Sequence, residues 1–314
     1  MVTAPEIFDR QDVLRGAYAA RIAEFTEAGR QVGLSPARED RERIAVILVD
    51  YQHDFVNPAG TLSVPGAQED VARFLTWFYA SADKITTVYA SLDTHLPYHI
   101  FYSSWWHNAQ TGEHPQPFTV ITEEDVLNHV WEPVSKIEQE WSRQYVHRLK
   151  QEARKELMIW PYHTMQGTLG HMLSAPISEA IAWHSAARNA EPVYIVKGLT
   201  LRTEYYGIFG AEIPDAPEDG LNTALLDIVM AHDRVYIAGE AKSHCVLETE
   251  RQIARYCQDR PELLRRVYAL KDCTSSVQHP VVDFDTLAEA ELVALERAGM
   301  HMVTSSTGAI NLPV

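Results

Sequence analysis

This sequence predicts a three-layer α/β fold, a doubly wound, six-stranded and mainly parallel sheet with helices on both faces. Three observations carry that expectation. Ile44-Ala-Val-Ile-Leu-Val-Asp50 is a near-continuous apolar run, as expected of a central parallel strand with helices covering both its faces. Five more short apolar runs alternate with helical stretches along the chain, and such alternation gives a parallel sheet. Several runs end in a polar or reactive residue, and ligands of such sheets bind beyond the carboxyl ends of the strands.

In chain order, residues 7–32 are rich in Ala, Glu and Arg, with Val13, Tyr18, Ile22 and Phe25 spaced as in one amphipathic helix. Residues 1–42 therefore read as an N-terminal helical extension, ending in the charged connector Ser35 to Arg43, and residues 43–314 as the main domain. After the first strand, Gln68 to Ala82 reads as a helix and Lys84 to Asp93 as the second strand. From about 103 to 157 the apolar periodicity thins, so this segment is expected to be an insertion at the edge of the sheet, with a polar helix from Glu123 to about Leu157. A helix from Ile177 to Arg188 leads to the third strand, Pro192 to Lys197. Leu221 to His232 is a helix before the fourth strand, Val235 to Ala238. A tight turn at Gly239 then opens a helix near Ser243. Arg266 to Asp272 is the fifth strand, Asp283 to Ala298 a helix, and Met300 to Ser305 the sixth strand.

With 314 residues the chain can bury a large core. Its 43 acidic and 27 basic residues, a formal charge of −16, argue against nucleic acid and anionic membranes as partners. No apolar run has transmembrane length, and the first residues lack the basic and apolar regions of a signal peptide. Three widely spaced cysteines, Cys245, Cys257 and Cys273, make no disulfide framework. The expectation is a cytoplasmic protein with a small-molecule partner, and a homo-oligomer.

Asp50 ends the first strand, Asp93 the second and Lys197 the third, while Cys245 follows the fourth. Singly, each could cap a turn or be a solvated or buried side chain. Converging on one crevice, they would form a thiol, a base beside it and a cation holding both ionised. Cys245 in the first turn of a helix would favour a thiolate, and nearby N–H groups could hold an oxyanion. Asp93-Thr-His95, with His99 beyond and His163 in Trp160-Pro-Tyr-His163, offers carboxylate and imidazole ligands suited to zinc, iron or manganese. In an extended Asp-x-His both side chains lie on one face.

These segments resemble those of the isochorismatase-like cysteine hydrolases, and most of all the nicotinamidases (pyrazinamidases). Ile47-Leu-Val-Asp50-Tyr-Gln-His-Asp-Phe55 resembles the family's first strand and its aspartate. Ser91-Leu-Asp93-Thr-His95-Leu-Pro-Tyr-His99 and Trp160-Pro-Tyr-His163-Thr resemble its metal segments. Lys197-Gly198 with Glu204-Tyr-Tyr206-Gly-Ile-Phe209 resembles the lysine region, and Ala238-Gly-Glu-Ala-Lys-Ser-His-Cys245 the nucleophile turn. The likeness covers roughly residues 43–305, apart from about 103–157.

The resemblance implies Cys245 as nucleophile, Asp50 as base and Lys197 as the adjacent cation. It implies an oxyanion hole from the N–H groups of Ala241 and Cys245, and a cis peptide at Glu240–Ala241. Phe55, Trp160 and Tyr206 would wall the pocket for an aromatic ring. Asp93, His95 and His163 would hold one divalent metal, zinc first with iron or manganese as alternatives, and His99 is a fourth candidate. The implied activity is hydrolysis of nicotinamide to nicotinate and ammonia through a thioester, a step of NAD salvage. Another small amide or ureido compound is the alternative substrate, and a non-catalytic scaffold is a third reading, which the Asp50, Lys197, Cys245 set disfavours. Thr164 in place of cysteine, Ser243-His244 before the nucleophile, the insertion and the N-terminal helix depart from the family pattern.

Overall fold

The computed structural model describes residues 2–15, 17–279, 281–308 and 310. Six strands form the main sheet: β1 (Ile44–Val49), β2 (Thr87–Asp93), β3 (Val193–Lys197), β4 (Arg234–Gly239), β5 (Val267–Leu270) and β6 (His301–Val303). Their order across the sheet is β6-β5-β4-β1-β2-β3, and every neighbouring pair is parallel. The chain thus winds outward from β1 to β3, then returns to the other side of β1 and winds outward again. The reversal between β1 and β4 opens a crevice beyond their carboxyl ends, where such sheets take ligands.

The period-two alternation of side chains sorts the core into two halves. Val46 and Leu48 of β1 face one apolar cluster with α2 (Ala67–Ser81) and α4 (Ala175–Arg188). Ala45, Ile47 and Val49 face a second cluster with α5 (Thr223–Met230), α6 (Leu247–Tyr256) and α7 (Phe284–Ala298). All six residues of β1 are therefore buried. The expected three layers are present. The strands β5 and β6 are shorter than the sequence suggests, because the chain turns after Leu270 and Val303 and Asp272 receives Ser305 across the two turns.

The N-terminal region does not form the single helix expected over residues 7–32. A short 3-10 turn, Arg10–Arg15, precedes a ten-residue helix, α1 (Ile22–Gln31). Glu179 of α4 sets the break: it accepts from the Arg21 N–H and Nε, each at 3.0 Å, and from the Tyr18 hydroxyl at 3.0 Å. An unpaired N–H at a helix start is thereby satisfied from the main domain.

The insertion also departs from expectation. Instead of one long helix it contains a helix at Glu123–Leu127, α3 (Gln139–Arg148) and two small antiparallel ribbons. Pro133 breaks the helical reading: the residue before a proline is driven away from helix, and Trp131–Pro133 pairs with Trp106–Asn108 instead. Among the described residues no helix is long and apolar enough to cross a membrane.

Candidate active site

The carboxyl rim of the sheet brings the predicted groups together. Asp50 follows β1 with φ +47°, a left-handed conformation that aspartate tolerates better than most residues. Ser91 of β2 fixes it twice: the serine hydroxyl accepts the Asp50 N–H at 3.0 Å and donates to Asp50 Oδ1 at 2.5 Å. Asp93 is the last residue of β2, and the Gln52 side-chain amide grips its backbone, accepting its N–H at 2.8 Å and donating to its carbonyl at 2.7 Å. Lys197 ends β3 in register with Asp93.

Lys197 Nζ lies 2.9 Å from Asp50 Oδ2, 2.8 Å from Asp93 Oδ1 and 2.9 Å from the Tyr205 carbonyl. The contact with Asp50 is an ion pair, while the lysine donates to Asp93 and the Tyr205 carbonyl. The Cys245 sulfur lies 3.7 Å away. Asp50, Asp93 and Lys197 are 0%, 3% and 4% exposed, so bulk water does not screen the cluster.

Burial opposes the lysine's charge, but Asp50, Asp93 and Cys245 outweigh it and hold the ammonium well above its usual range. Burial likewise opposes the charge of Asp93, yet His95 and Lys197 keep its carboxyl well below the usual range. At Asp50 burial wins and the pKa is raised, with Lys197 pulling the other way. Burial also pushes the Cys245 thiol well up, against the pull of Lys197. Cys245 lies in a wide turn, Lys242–Val246, ahead of α6, where its burial works against the thiolate that a helix terminus favours.

The peptide Glu240–Ala241 is cis. The Ala241 carbonyl accepts the N–H groups of His244 and Val246, whereas its own N–H has no acceptor among the described residues. Gly239, at φ +144°, lets β4 close on β1, since a Cβ there would lie 2.0 Å from the Val49 carbonyl oxygen.

Asp93, His95 and His163 are buried and bring three ligand atoms within 4.8 Å of one another. His95 Nδ1 lies 3.1 Å from the Gly198 carbonyl and His163 Nδ1 2.8 Å from the Pro161 carbonyl. A carbonyl only accepts, so both rings carry a proton on Nδ1 and present Nε2 toward Asp93 Oδ2, at 2.8 and 3.6 Å. Burial lowers the His163 pKa and favours the neutral form. With both Nε2 atoms deprotonated, two lone pairs and a carboxylate oxygen would face one another, so this group could hold a metal ion, with a donor set that suits a divalent transition metal. Gly198, at φ +85°, makes room, because a Cβ there would meet His95 Cε1 at 2.7 Å. His99 stacks edge-on near His95, and its Nε2 accepts the Leu96 N–H at 3.0 Å, which leaves it outside the group.

Beside these groups lies a pocket lined by Phe55, Trp160 and Tyr206 together with Leu62, Phe101, Glu204, His244, Cys245 and Val277. Tyr206 donates to Glu204 Oε1 at 2.5 Å and accepts from Trp160 Nε1 at 3.2 Å. The roles of Ser91, Gln52 and Glu204 escape a reading of the sequence. Each acts on a partner through a hydrogen bond, and although all three stand inside segments that the family resemblance singles out, those bonds do not show in the sequence.

Comparison with family models and with curated proteins gives no match. Solved structures do match. An Acinetobacter baumanii nicotinamidase/pyrazinamidase has a TM-score of 0.54 at 17% identity, covering 85% of this chain and 98% of its own. The yeast nicotinamidase has a TM-score of 0.55 at 20% identity, covering 83% and 99%. A protein from L. infantum in complex with nicotinate has a TM-score of 0.52 at 19% identity, covering 87% and 96%. The fold is isochorismatase-like, with a six-stranded parallel sheet.

Proposed function

We propose that this chain is a metal-containing cysteine amidohydrolase that hydrolyses nicotinamide to nicotinate and ammonia. The observation that carries the reading is the position of Lys197 Nζ, in contact at once with Asp50, Asp93 and the sulfur of Cys245. Such a set pairs a nucleophile with its base. The aromatic cavity and the nicotinamidases among the similar structures support the substrate.

In this reading Cys245 Sγ attacks the carboxamide carbon as Asp50 takes its proton. The oxyanion receives hydrogen bonds from the Ala241 and Cys245 N–H groups. Asp50 then gives its proton to the nitrogen, the C–N bond breaks, and ammonia leaves a thioester. Asp50 next takes a proton from water as the water oxygen attacks the thioester carbon. The C–S bond breaks, nicotinate departs, and the sulfur recovers its proton. Lys197 stays charged throughout and keeps both carboxylates in place. A divalent ion held by Asp93, His95 and His163, with zinc first and iron or manganese as alternatives, would supply an electrophilic anchor for the ring nitrogen.

A second reading keeps the chemistry and changes the substrate to another small amide or ureido compound. It is favoured by His244, whose imidazole lines the cavity beside the nucleophile, 5.3 Å from the Trp160 ring and 5.4 Å from Tyr206. Ammonia release from nicotinamide, pyrazinamide and aliphatic amides, with metal analysis on the same sample, separates the two. The first reading expects nicotinamide turnover by metal-loaded protein and none by Cys245→Ala; equal activity in that variant refutes it.

A further inference from the structure

Directly behind the turn that carries Ala241 lies a second acidic pair that the reaction does not use. Glu240 is fully buried and Asp70, in the first turn of α2, is 1% exposed. The two carboxyl groups are within hydrogen-bonding reach of each other. Glu240 Oε2 accepts the Ser275 N–H at 3.2 Å, and Asp70 Oδ1 is paired with Arg73, which also donates to the Asp272 carbonyl. That leaves one oxygen of each side chain, Glu240 Oε1 and Asp70 Oδ2, buried and outside these bonds, with the Ser275 hydroxyl beside Asp70. Two ionised carboxylates cannot satisfy each other; one proton between them satisfies both.

We infer that Asp70 and Glu240 share a single proton, and that this proton makes Glu240 a positioning residue for the oxyanion turn. The proton belongs mainly to Glu240, because Asp70 has the Arg73 guanidinium and the start of a helix to favour its charge. Glu240 then donates through Oε1 to Asp70 while Oε2 holds the Ser275 N–H. Ser275 in turn accepts the Lys242 N–H at 2.8 Å, and the Glu240 N–H is held by the Val49 carbonyl at 2.8 Å. Both flanks of Ala241 are thereby tied to neighbouring elements, one of them through this carboxyl group.

The charged and titratable groups facing the pair are Arg73 from α2, Tyr51 beyond β1, and Asp272 and Cys273 from the loop after β5. Arg73, more than a third exposed, is the cation among them, so a second negative charge here has no full counterion. Burial raises both carboxyl pKa values, that of Glu240 well above the usual range. A raised folded-state pKa contributes stability that is lost as pH rises through it.

The role in turnover rests on the amidase reading; the shared proton does not, and the test separates them. Thermal unfolding and amide turnover are followed from neutral to alkaline pH for the full chain and for Glu240→Gln, whose amide N–H replaces the shared proton with one that cannot leave. Wild type is expected to lose stability and kcat, with KM nearly constant, as pH rises, and Glu240→Gln to flatten both limbs. Glu240→Leu, which removes the acceptor for Ser275, is expected to lower kcat about tenfold at neutral pH with little change in KM. Identical pH profiles of unfolding in wild type and Glu240→Gln would overturn the inference. A flattened unfolding profile in a protein that hydrolyses no amide would uphold the shared proton and overturn the amidase reading.

Discussion

The rim of the sheet and the insertion that borders it are built on opposite terms. At the rim, Asp50, Asp93 and Lys197 each end or follow a parallel strand of the sheet, and Ser91 and Gln52 lock the two carboxylate residues at those strand ends. In the insertion the strands are two or three residues long, and side chains provide much of the anchoring. Tyr145 of α3 donates to Glu204 Oε2 at 2.8 Å and accepts the Glu204 N–H at 3.0 Å. Trp141 donates to the Arg202 carbonyl at 2.8 Å, and Lys155 pairs with Glu212 and Glu248 while lying 4.8 Å from the Tyr206 ring centre. Reacting groups thus come from rigid strand ends, and one wall of the pocket is braced by contacts from elsewhere. Substitutions at the rim should change kcat; substitutions in the insertion should change KM.

Three changes would sharpen or break that division. Asp93→Ala removes a carboxylate from both the metal group and Lys197. It should empty the purified protein of bound metal and lower kcat on the order of a hundredfold, read by elemental analysis and ammonia release; full metal content would remove Asp93 from the ligand set. Ser91→Ala frees Asp50 Oδ1 and should lower kcat about tenfold with KM little changed. A KM effect alone would show that Ser91 serves the pocket and not the base. The mildest is Tyr145→Phe, which leaves Glu204 one donor short and should raise KM about fivefold while kcat moves less than about twofold. A larger fall in kcat than rise in KM would dissolve the distinction between rim and insertion.

The same contrast explains what the sequence discloses. The rim is legible because an apolar run followed by a polar residue marks both a buried strand and its carboxyl end, as at Val49-Asp50 and Val196-Lys197. Strand order is not legible in that way, yet the alternation with helices limits it severely. Gln52 and Ser91 stay silent in sequence because each works on a residue about forty positions away. The insertion misleads because its polar, helix-favouring composition hides Pro133 and the ribbon around it. The burial of Cys245 is silent for another reason: its place in the chain shows the helix terminus, but only the packed structure shows how deeply the residue is buried.

The account stands on one covalent event at one sulfur. Protein quenched with acid during nicotinamide turnover, then digested and weighed by mass spectrometry, tests it most directly. A nicotinoyl group on the peptide containing Cys245, absent in Cys245→Ala, is the predicted result. Steady ammonia release with Cys245 never acylated, or with the acyl group on Cys257 or Cys273, would contradict it.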